Sequence, residues 1–214
     1  MQFDMLRDIR NNYQKSELTE EGISKNPLDQ LNLWLNEAIS GNEKEPTAMI
    51  LSTIDSNGNP ESRVLLLKEL TNKGLIFYTN YHSKKGRQIS SHPQVSVVLF
   101  WPGLERQVRI KGKAERISEN DSEAYFQSRP IDSQLGAWTS PQSEIIESRQ
   151  VLDENYIRYK EYFQEHEMKK PPHWGGFLIR PIYFEFWQGR ANRLHDRIEF
   201  SWSEDHWKIN RLAP

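Results

Sequence analysis

The sequence contains no cysteine. That absence excludes a disulfide framework, a thiol nucleophile, Cys-ligated zinc and Cys-bound iron–sulfur clusters. Long apolar runs are also missing. The longest uncharged run of apolar character lies around Val95 to Leu104, far short of a membrane span. The opening MQFDMLRDIR is charged throughout, so it does not read as a secretory signal and the expected location is the cytoplasm. No GxGxxG, Walker A, HExxH or GxSxG signature occurs. The six histidines are scattered, with no pair at metal-ligand spacing on one predicted element, so no metal site is expected.

Apolar residues are scarce at 36% of the 214, and adding the 11 glycines still leaves them below the roughly 45–50% typical of soluble domains. Large rings offset the shortfall: seven Trp, eight Tyr and nine Phe make 11% of the chain. Such a composition argues against disorder, because each ring buries more area than other side chains. Net charge is only −2, but its distribution is uneven. Residues 61–116 hold eleven Lys/Arg against four Asp/Glu, while residues 117–170 hold six against eleven. A basic middle in a near-neutral protein fits a nucleic-acid face, a pocket for a small phosphorylated ligand, or a solvated strand surface.

The length suits one domain, and the chain divides into an acidic, flexible arm over residues 1–26 and a single domain over 27–214. A helix starts with Asn26 as N-cap and Pro27 at the first helical position. Leu28, Leu31, Leu35 and Ala38 share one face, and Gly41 stands where a C-terminal cap belongs. From Thr47 the pattern turns to strands. TAMILSTI is followed by an Asn57-Gly58 turn, SRVLLLKEL, a TNKG turn and LIFYTN. Ser83 caps a short basic helix, then come QVSVVLFW and RQVRIKGKAERI, the latter alternating apolar and cationic positions. Residues 118–166 read as helices broken near Pro130 and Pro141, with Ile145, Val151, Leu152, Tyr156, Tyr159 and Phe163 forming an apolar face. Four strands close the chain: GGFLIRP, IYFEFWQ, LHDRIEFSW and HWKINRL. Two groups of antiparallel strands with helices between them predict an α+β, mainly β protein built on a small barrel.

Four groups of residues could carry chemistry. In WQGRANRLHDR, a strand from Arg193 would place Arg193, His195 and Arg197 on one face, with neighbours roughly 6–7 Å apart. Two guanidiniums around an imidazole depress its pKa unless an anion sits between them, although a salt-bridged strand edge reads the same way. Arg63 and Lys68 bracket the apolar run VLLL, like a core strand whose ends reach either an anion or water. Ser83, Lys84 and Lys85 open a helix, where free N–H groups favour an anion and lysines are otherwise unfavourable. Tyr125 and Arg129 are one helical turn apart with Ser133 just beyond, which suits a second phosphate cradle or a purely structural cluster.

Seven blocks in order are RVLLLK, FYTN, SKKGRQI, LERQVRI, SRPIDSQLGAW, FWQGRANRLHDR and the terminal INRLAP. Together they resemble the pyridoxine/pyridoxamine 5′-phosphate oxidase family from about residue 46 to the end. The resemblance implies a homodimeric oxidase with an antiparallel split β-barrel, flanking helices, and FMN sites at the subunit interface. It implies that Arg63, Lys84, Lys85 and Ser143 hold the FMN phosphate, with Gln142 beside it. The backbone of Val64, Leu65, Leu66, Leu67, Lys68, Tyr78 and Thr79, together with Gln107, would hold the rest of FMN, and Trp187 and Arg197 of the other chain would meet its ring system. The substrate phosphate would meet Lys68, Tyr125, Arg129 and Ser133. Arg193, Leu194 and His195 would lie over the pyridine ring, with Arg193 and His195 the catalytic pair and Arg10 and Tyr13 closing over the substrate. The family commonly has Arg where Lys84 stands, which turns a bidentate contact into a point charge. The implied reaction oxidises pyridoxamine or pyridoxine 5′-phosphate to pyridoxal 5′-phosphate. FMN takes a hydride and O2 accepts the electrons to give H2O2, with no part for nucleic acid or membrane. The alternatives are a flavin or deazaflavin reductase of the same fold and a nucleic-acid-binding barrel.

Overall fold

In a computed structural model, which describes residue 7 and residues 12–214, the chain forms two compact units. The first comprises Met1–Ile50, Val97–Lys111 and Ile182–Pro214; the second comprises Leu51–Ser96 and Gly112–Pro181. Helix α1 (Pro27–Ser40) is followed by strands β1 (Ala48–Ile54), β2 (Pro60–Leu66), β3 (Glu69–Thr71) and β4 (Gly74–Asn80). Next come α2 (Lys84–Ser91), β5 (Gln94–Trp101), β6 (Arg106–Arg116), α3 (Glu119–Ser128), α4 (Ile131–Thr139) and α5 (Arg149–Glu165). Strands β7 (Trp174–Gln188), β8 (Asp196–Ser203) and β9 (His206–Arg211) end the fold. Strand neighbours run β2-β1-β5-β6-β7-β4-β3, with β8 paired to β7 and β9. The β3–β4, β4–β7, β7–β8 and β8–β9 pairs are antiparallel. Among the described residues no helix is long and apolar enough to cross a membrane.

In the first unit α1 begins as the sequence predicts: the Asn26 side chain accepts a hydrogen bond from Leu28 N and Pro27 occupies the first turn. The helix buries Leu31, Trp34, Leu35 and Ala38, and Trp34 meets Phe186 edge-on at 5.2 Å between ring centroids. Phe184, Ile198 and Phe200 complete this aromatic core. The helix ends at Gly41, as the sequence predicts, with the Gly41 amide donating to Glu37 O at 2.8 Å. Gly41 keeps φ −78°, and Asn42 takes the left-handed conformation at φ 54°. Asparagine tolerates that region, so no glycine is needed there. Of the arm, Leu18 and Ile23 are buried, and the Leu18 amide donates to Asp196 Oδ2.

The second unit packs Leu75, Phe77, Phe126, Phe177 and Ile179 inside. The TNKG turn depends on Gly74, whose φ is +141° and where a Cβ would lie 2.0 Å from the Ile179 carbonyl oxygen. The Asn57-Gly58 turn is held by Asp55, whose Oδ1 accepts from both Asn57 N and Asn59 N at 2.8 Å. Alternation in β6 holds, with Val108, Ile110, Gly112 and Ala114 buried and the cations between them exposed.

Several strand and helix boundaries depart from the sequence reading. SRVLLLKEL is two strands, β2 and β3, with Lys68 in the break, so Arg63 and Lys68 do not mark the ends of one regular strand. GGFLIRP and IYFEFWQ are one strand, β7, running through Pro181. The ladder to β4 ends at Ile179 and that to β8 starts at Tyr183, so Pro181 sits where neither asks for its missing N–H. Ile145 precedes α5 and is fully exposed rather than part of its apolar face.

Candidate active site

The second unit brings together many of the predicted ligand-holding residues. A cavity of about 420 Å³ is lined by Leu66, Lys68, Tyr78, Thr79, Arg129, Ser133 and Gln142, all singled out from sequence, and by Trp174, which was not. At one part of this region Ser83 caps α2 by accepting from Gly86 N. That start places Lys84 and Lys85 on the first turn, as predicted. Lys85 Nζ donates to Gln142 Oε1 at 3.1 Å, Thr79 Oγ1 at 3.3 Å and Ser83 Oγ at 3.4 Å, all neutral oxygens. Burial, and then the Arg63 charge, lower its pKa from the ordinary lysine value. Arg63 donates to Thr53 Oγ1, Leu51 O and Gln88 Oε1, and burial lowers its pKa as well. Glu61, on the sheet surface, pairs with Lys84 and lies 3.5 Å from Arg63. Among the described residues Glu61 is thus the carboxylate that pairs with Lys84 and Arg63, and none pairs with Lys85. A dianionic phosphate is the ligand such a cluster suits.

A second cationic position lies on the α3–α4 corner. Arg129 ends α3, and its Cζ stands 4.6 Å from the centroid of Trp174. Its Nη1 is buried without a hydrogen-bond partner among the described residues, and burial lowers its pKa. A buried guanidinium N–H is rarely left empty-handed, so the orphan marks where an anion belongs. Ser133, in the first turn of α4, and Lys68 line the same cavity. Tyr125 stacks on Tyr78 at 3.7 Å between centroids and lines a smaller cavity of about 260 Å³ that shares Tyr78 with the first. Burial raises the pKa of both phenols, with the Glu69 carboxylate, 2.7 Å from the Tyr78 hydroxyl, adding to the effect there. Trp174 extends this stack, 5.4 Å from Tyr78. Its signal in the sequence was only its place before Gly175-Gly176, where any Cβ would collide with Tyr81 or Ile117.

Val64, Leu65 and Leu67, whose predicted part is through the backbone, adjoin Leu66 and Lys68 of the cavity; the Val64 side chain is exposed, that of Leu65 half-buried and that of Leu67 buried. Ser143 is exposed in a left-handed conformation at φ 74°. Gln107 lies on β6 in the first unit and does not line the cavity. Arg10 falls outside the described residues.

The first unit holds a second cluster. Trp187 on β7 and Arg197 on β8 are direct cross-strand partners, so both present to one face. Arg197 Nε donates to Glu185 Oε1 at 3.0 Å, and Arg109 Nη1 donates to Glu185 Oε2 at 2.9 Å. Glu185 itself is buried, and sequence reading passed over it. The expectation that Arg193, His195 and Arg197 alternate along one strand is wrong. Asn192 and Arg193 adopt φ 58° and 62°, which turns the chain, and β8 begins only at Asp196. The turn leaves Arg193 and Leu194 exposed. His195 packs its ring 4.7 Å from that of Trp187, and Tyr13 meets both rings at 5.7 Å. His195 Nδ1 accepts from the Arg190 amide at 3.1 Å, which leaves the proton of the neutral ring on Nε2. Burial, then the Arg193 charge, lower its pKa from 6.5, against a smaller opposing effect of Asp196.

Comparison with known proteins identifies the family. Residues 35–162 fit the family model described as pyridoxamine 5′-phosphate oxidase. Residues 174–214 fit the pyridoxine 5′-phosphate oxidase C-terminal dimerisation region. The chain is 47% identical over 209 residues to a pyridoxine/pyridoxamine 5′-phosphate oxidase of Synechocystis sp., covering 98% of each protein. It is 46% identical to the protein of that name from Neisseria meningitidis serogroup B, over 98% of this chain and 99% of the other. Among solved structures, PhzG from Burkholderia lata, in complex with tetrahydrophenazine-1-carboxylic acid, aligns with TM-score 0.87 and 25% identity, covering 94% of this chain and all of that one. The fold is therefore the antiparallel split β-barrel with flanking helices that the sequence implied. With two family models side by side and full-length relatives near half identity, the chain belongs to the pyridoxamine 5′-phosphate oxidase family.

Proposed function

We propose that the protein is an FMN-dependent oxidase of pyridoxamine 5′-phosphate and pyridoxine 5′-phosphate. O2 is the electron acceptor, and pyridoxal 5′-phosphate and H2O2 are the products. The observation that carries the reading is the pair of carboxylate-poor cationic positions in one unit: Lys85 bonded only to neutral oxygens, and Arg129 with a buried, unpartnered Nη1. Two phosphates, one of cofactor and one of substrate, answer both.

Arg63, Lys84, Lys85 and Ser143 would hold the FMN phosphate with Gln142 beside them. The Val64–Lys68 backbone, Tyr78, Thr79 and Gln107 would hold the remainder. When bound, FMN supplies the redox chemistry, accepting the electrons released at C4′ and passing them to O2. The protein's own part is orientation. Lys68, Arg129 and Ser133 grip the substrate phosphate, and Tyr125 stiffens that wall by stacking on Tyr78. With both phosphates anchored, the reacting carbon is held at near-attack distance. Arg193, exposed on its turn, orients the pyridine ring and its C4′ substituent. His195 holds its proton at Nε2 and so meets the substrate as a hydrogen-bond donor. In the amine reaction water hydrolyses the resulting imine, giving the aldehyde oxygen and releasing ammonia.

The enzyme works as a homodimer with sites at the subunit interface. The partner subunit's Trp187 and the partner subunit's Arg197 meet the flavin ring. Both lie within residues 174–214, the stretch that matches the family's dimerisation region. The test is the absorbance spectrum of purified protein before and after anaerobic addition of pyridoxamine 5′-phosphate. Flavin bands that bleach, and peroxide on readmitting air, are expected. A colourless protein that cannot be reconstituted with FMN would refute the proposal.

A further inference from the structure

Residues 12–17 pack beside the turn that carries His195, and together they wall a cavity of about 410 Å³ bounded by Tyr13, Glu17 and Arg190. Glu105 ties these two segments together, beside an exposed ion pair at 3.1 Å between Arg190 of the turn and Glu17 of the arm. Glu105 Oε2 accepts from the successive amides of Gln14 at 2.8 Å and Lys15 at 3.0 Å. The Glu105 carbonyl accepts from Gly189 N at 2.8 Å and from Gln188 Nε2 at 3.2 Å. Its side chain therefore holds the arm while its main chain holds the start of the Gly189–His195 turn. Lys15 Nζ adds a tether to the Gly103 carbonyl at 2.5 Å. Glu105 does this from the left-handed region, at φ 57°. Glycine or asparagine fits that backbone with less strain, so the carboxylate is what the position gains from glutamate. Gly189 completes the arrangement: a Cβ there would lie 2.7 Å from Tyr13 Cγ and 2.8 Å from Tyr13 Cβ. Only a residue without a side chain lets Tyr13 settle edge-on against Trp187 and also meet His195.

We propose that Glu105 is a positioning residue for the oxidation. Its carboxylate latches the N-terminal arm so that Tyr13 stays against Trp187 and His195, and Gly189 supplies the space. The proposal rests on the reading of Trp187 and His195 as site residues. Its chemistry is ordinary, since a carboxylate accepting two backbone amides makes charge-assisted bonds stronger than neutral ones.

The experiment compares Glu105→Ala, Glu105→Gln and Gly189→Ala as FMN-loaded enzymes. Tryptic cleavage after Lys15, steady-state turnover of pyridoxamine 5′-phosphate and the FMN dissociation constant are measured for each. Glu105→Ala is expected to speed cleavage and raise KM by about 10-fold, the low end for losing bonds to a charged group, with FMN affinity unchanged. Glu105→Gln keeps an acceptor oxygen and should fall between wild type and alanine on both readouts. Gly189→Ala should reproduce the alanine phenotype with Glu105 intact, so the inference stays testable if a Glu105 variant folds poorly. Unchanged cleavage in Glu105→Ala overturns the latch. Faster cleavage with unchanged KM, or FMN affinity falling in step with KM, overturns the positioning role. If the wild-type enzyme does not oxidise pyridoxamine 5′-phosphate, the functional reading fails by itself, while the cleavage rates still judge the latch.

Discussion

On the proposed reading Arg129 stabilises little in the ligand-free enzyme and much in the complex, and replacing it with methionine should separate the two. Without substrate, its guanidinium stands over Trp174 at 4.6 Å and near Phe126 at 5.8 Å, while Nη1 is buried and unbonded. The cation–π contact is worth about 0.5–2 kcal/mol. Leaving a buried polar group unsatisfied costs about 1–3 kcal/mol, more for a charged one. These effects nearly cancel, and methionine keeps packing against the ring through its thioether. Arg129→Met should therefore change folding stability by no more than about 1 kcal/mol, roughly 2–4 °C in Tm for a chain of this size.

The complex behaves otherwise. Hydrogen bonds from the guanidinium to a phosphate are worth about 1.5–3 kcal/mol, so substrate affinity should fall by about 10- to 150-fold. Substrate at about 100 times the wild-type Kd stabilises the wild-type enzyme by about 2.7 kcal/mol. The same concentration should stabilise the variant by only about 0.3–1.4 kcal/mol. Thermal scans with and without pyridoxamine 5′-phosphate, at fixed protein and FMN concentration, read both quantities, and kinetics should show the loss mainly in KM. If Arg129→Met lowers the ligand-free Tm by more than about 8 °C while KM stays put, the orphaned N–H reflects a structural arginine and the phosphate assignment is wrong.

Three further outcomes follow from the geometry. His195 has a lowered pKa, so the unfolded chain binds its proton more readily than the fold does. The stability this group contributes is present above pH 6.5 and lost as pH falls below it; urea titrations from pH 7 to 5.5 should show a smaller loss for His195→Asn than for wild type. Lys84→Arg replaces a point charge with a planar fork, and FMN fluorescence titration should show binding tightened by about 2- to 5-fold, whereas weaker binding would mean that Lys84 does not meet the phosphate. Gly74→Ala forces a Cβ to within 2.0 Å of the Ile179 carbonyl oxygen at φ +141°, and should cost about 3 kcal/mol or more in chemical denaturation, with wild-type stability refuting the turn geometry.

The parts of the fold legible in the sequence were those with local causes. Asn26 and Pro27 announce α1, the Asn57-Gly58 pair announces its turn, and Val108, Ile110 and Gly112 alternate in β6 as a half-buried strand must. What misled the reading was also local: Pro181 looked like a strand end until the change of partner from β4 to β8 made its missing N–H harmless. The alternation assumed for Arg193 to Arg197 failed because two successive left-handed residues left no mark beyond an Asn-Arg pair. In the site, residues spaced within a turn or two, such as Ser83 with Lys84 and Lys85, could be grouped by eye. Glu105 and Glu185 could not. Their partners Gln14 and Arg109 lie 91 and 76 residues away, and no periodicity reports a contact at that range.

Glu185 shows why the basic stretch of the sequence was ambiguous. An excess of lysine and arginine does not by itself separate ligand sites from paired surface; the placement of carboxylates does. In the first unit Glu185 neutralises Arg109 and Arg197, and Asp196 serves Arg190 and Arg211. Lys111, which alternation also placed on a basic face, sits over the Tyr183 ring at 4.7 Å. A nucleic-acid surface needs its cations free to release counterions, and these are already engaged. In the second unit, among the described residues, the Lys85 ammonium bonds only to uncharged oxygens and the Arg129 Nη1 bonds to nothing. Both are partly desolvated, so each carries a cost that only a bound anion removes. The same residue types are therefore held differently in the two units. Where the buried Glu185 stands behind Arg109 and Arg197, the guanidiniums are fixed in place and their charge is met; at Lys85 and Arg129 the proposed phosphates would supply the missing charge.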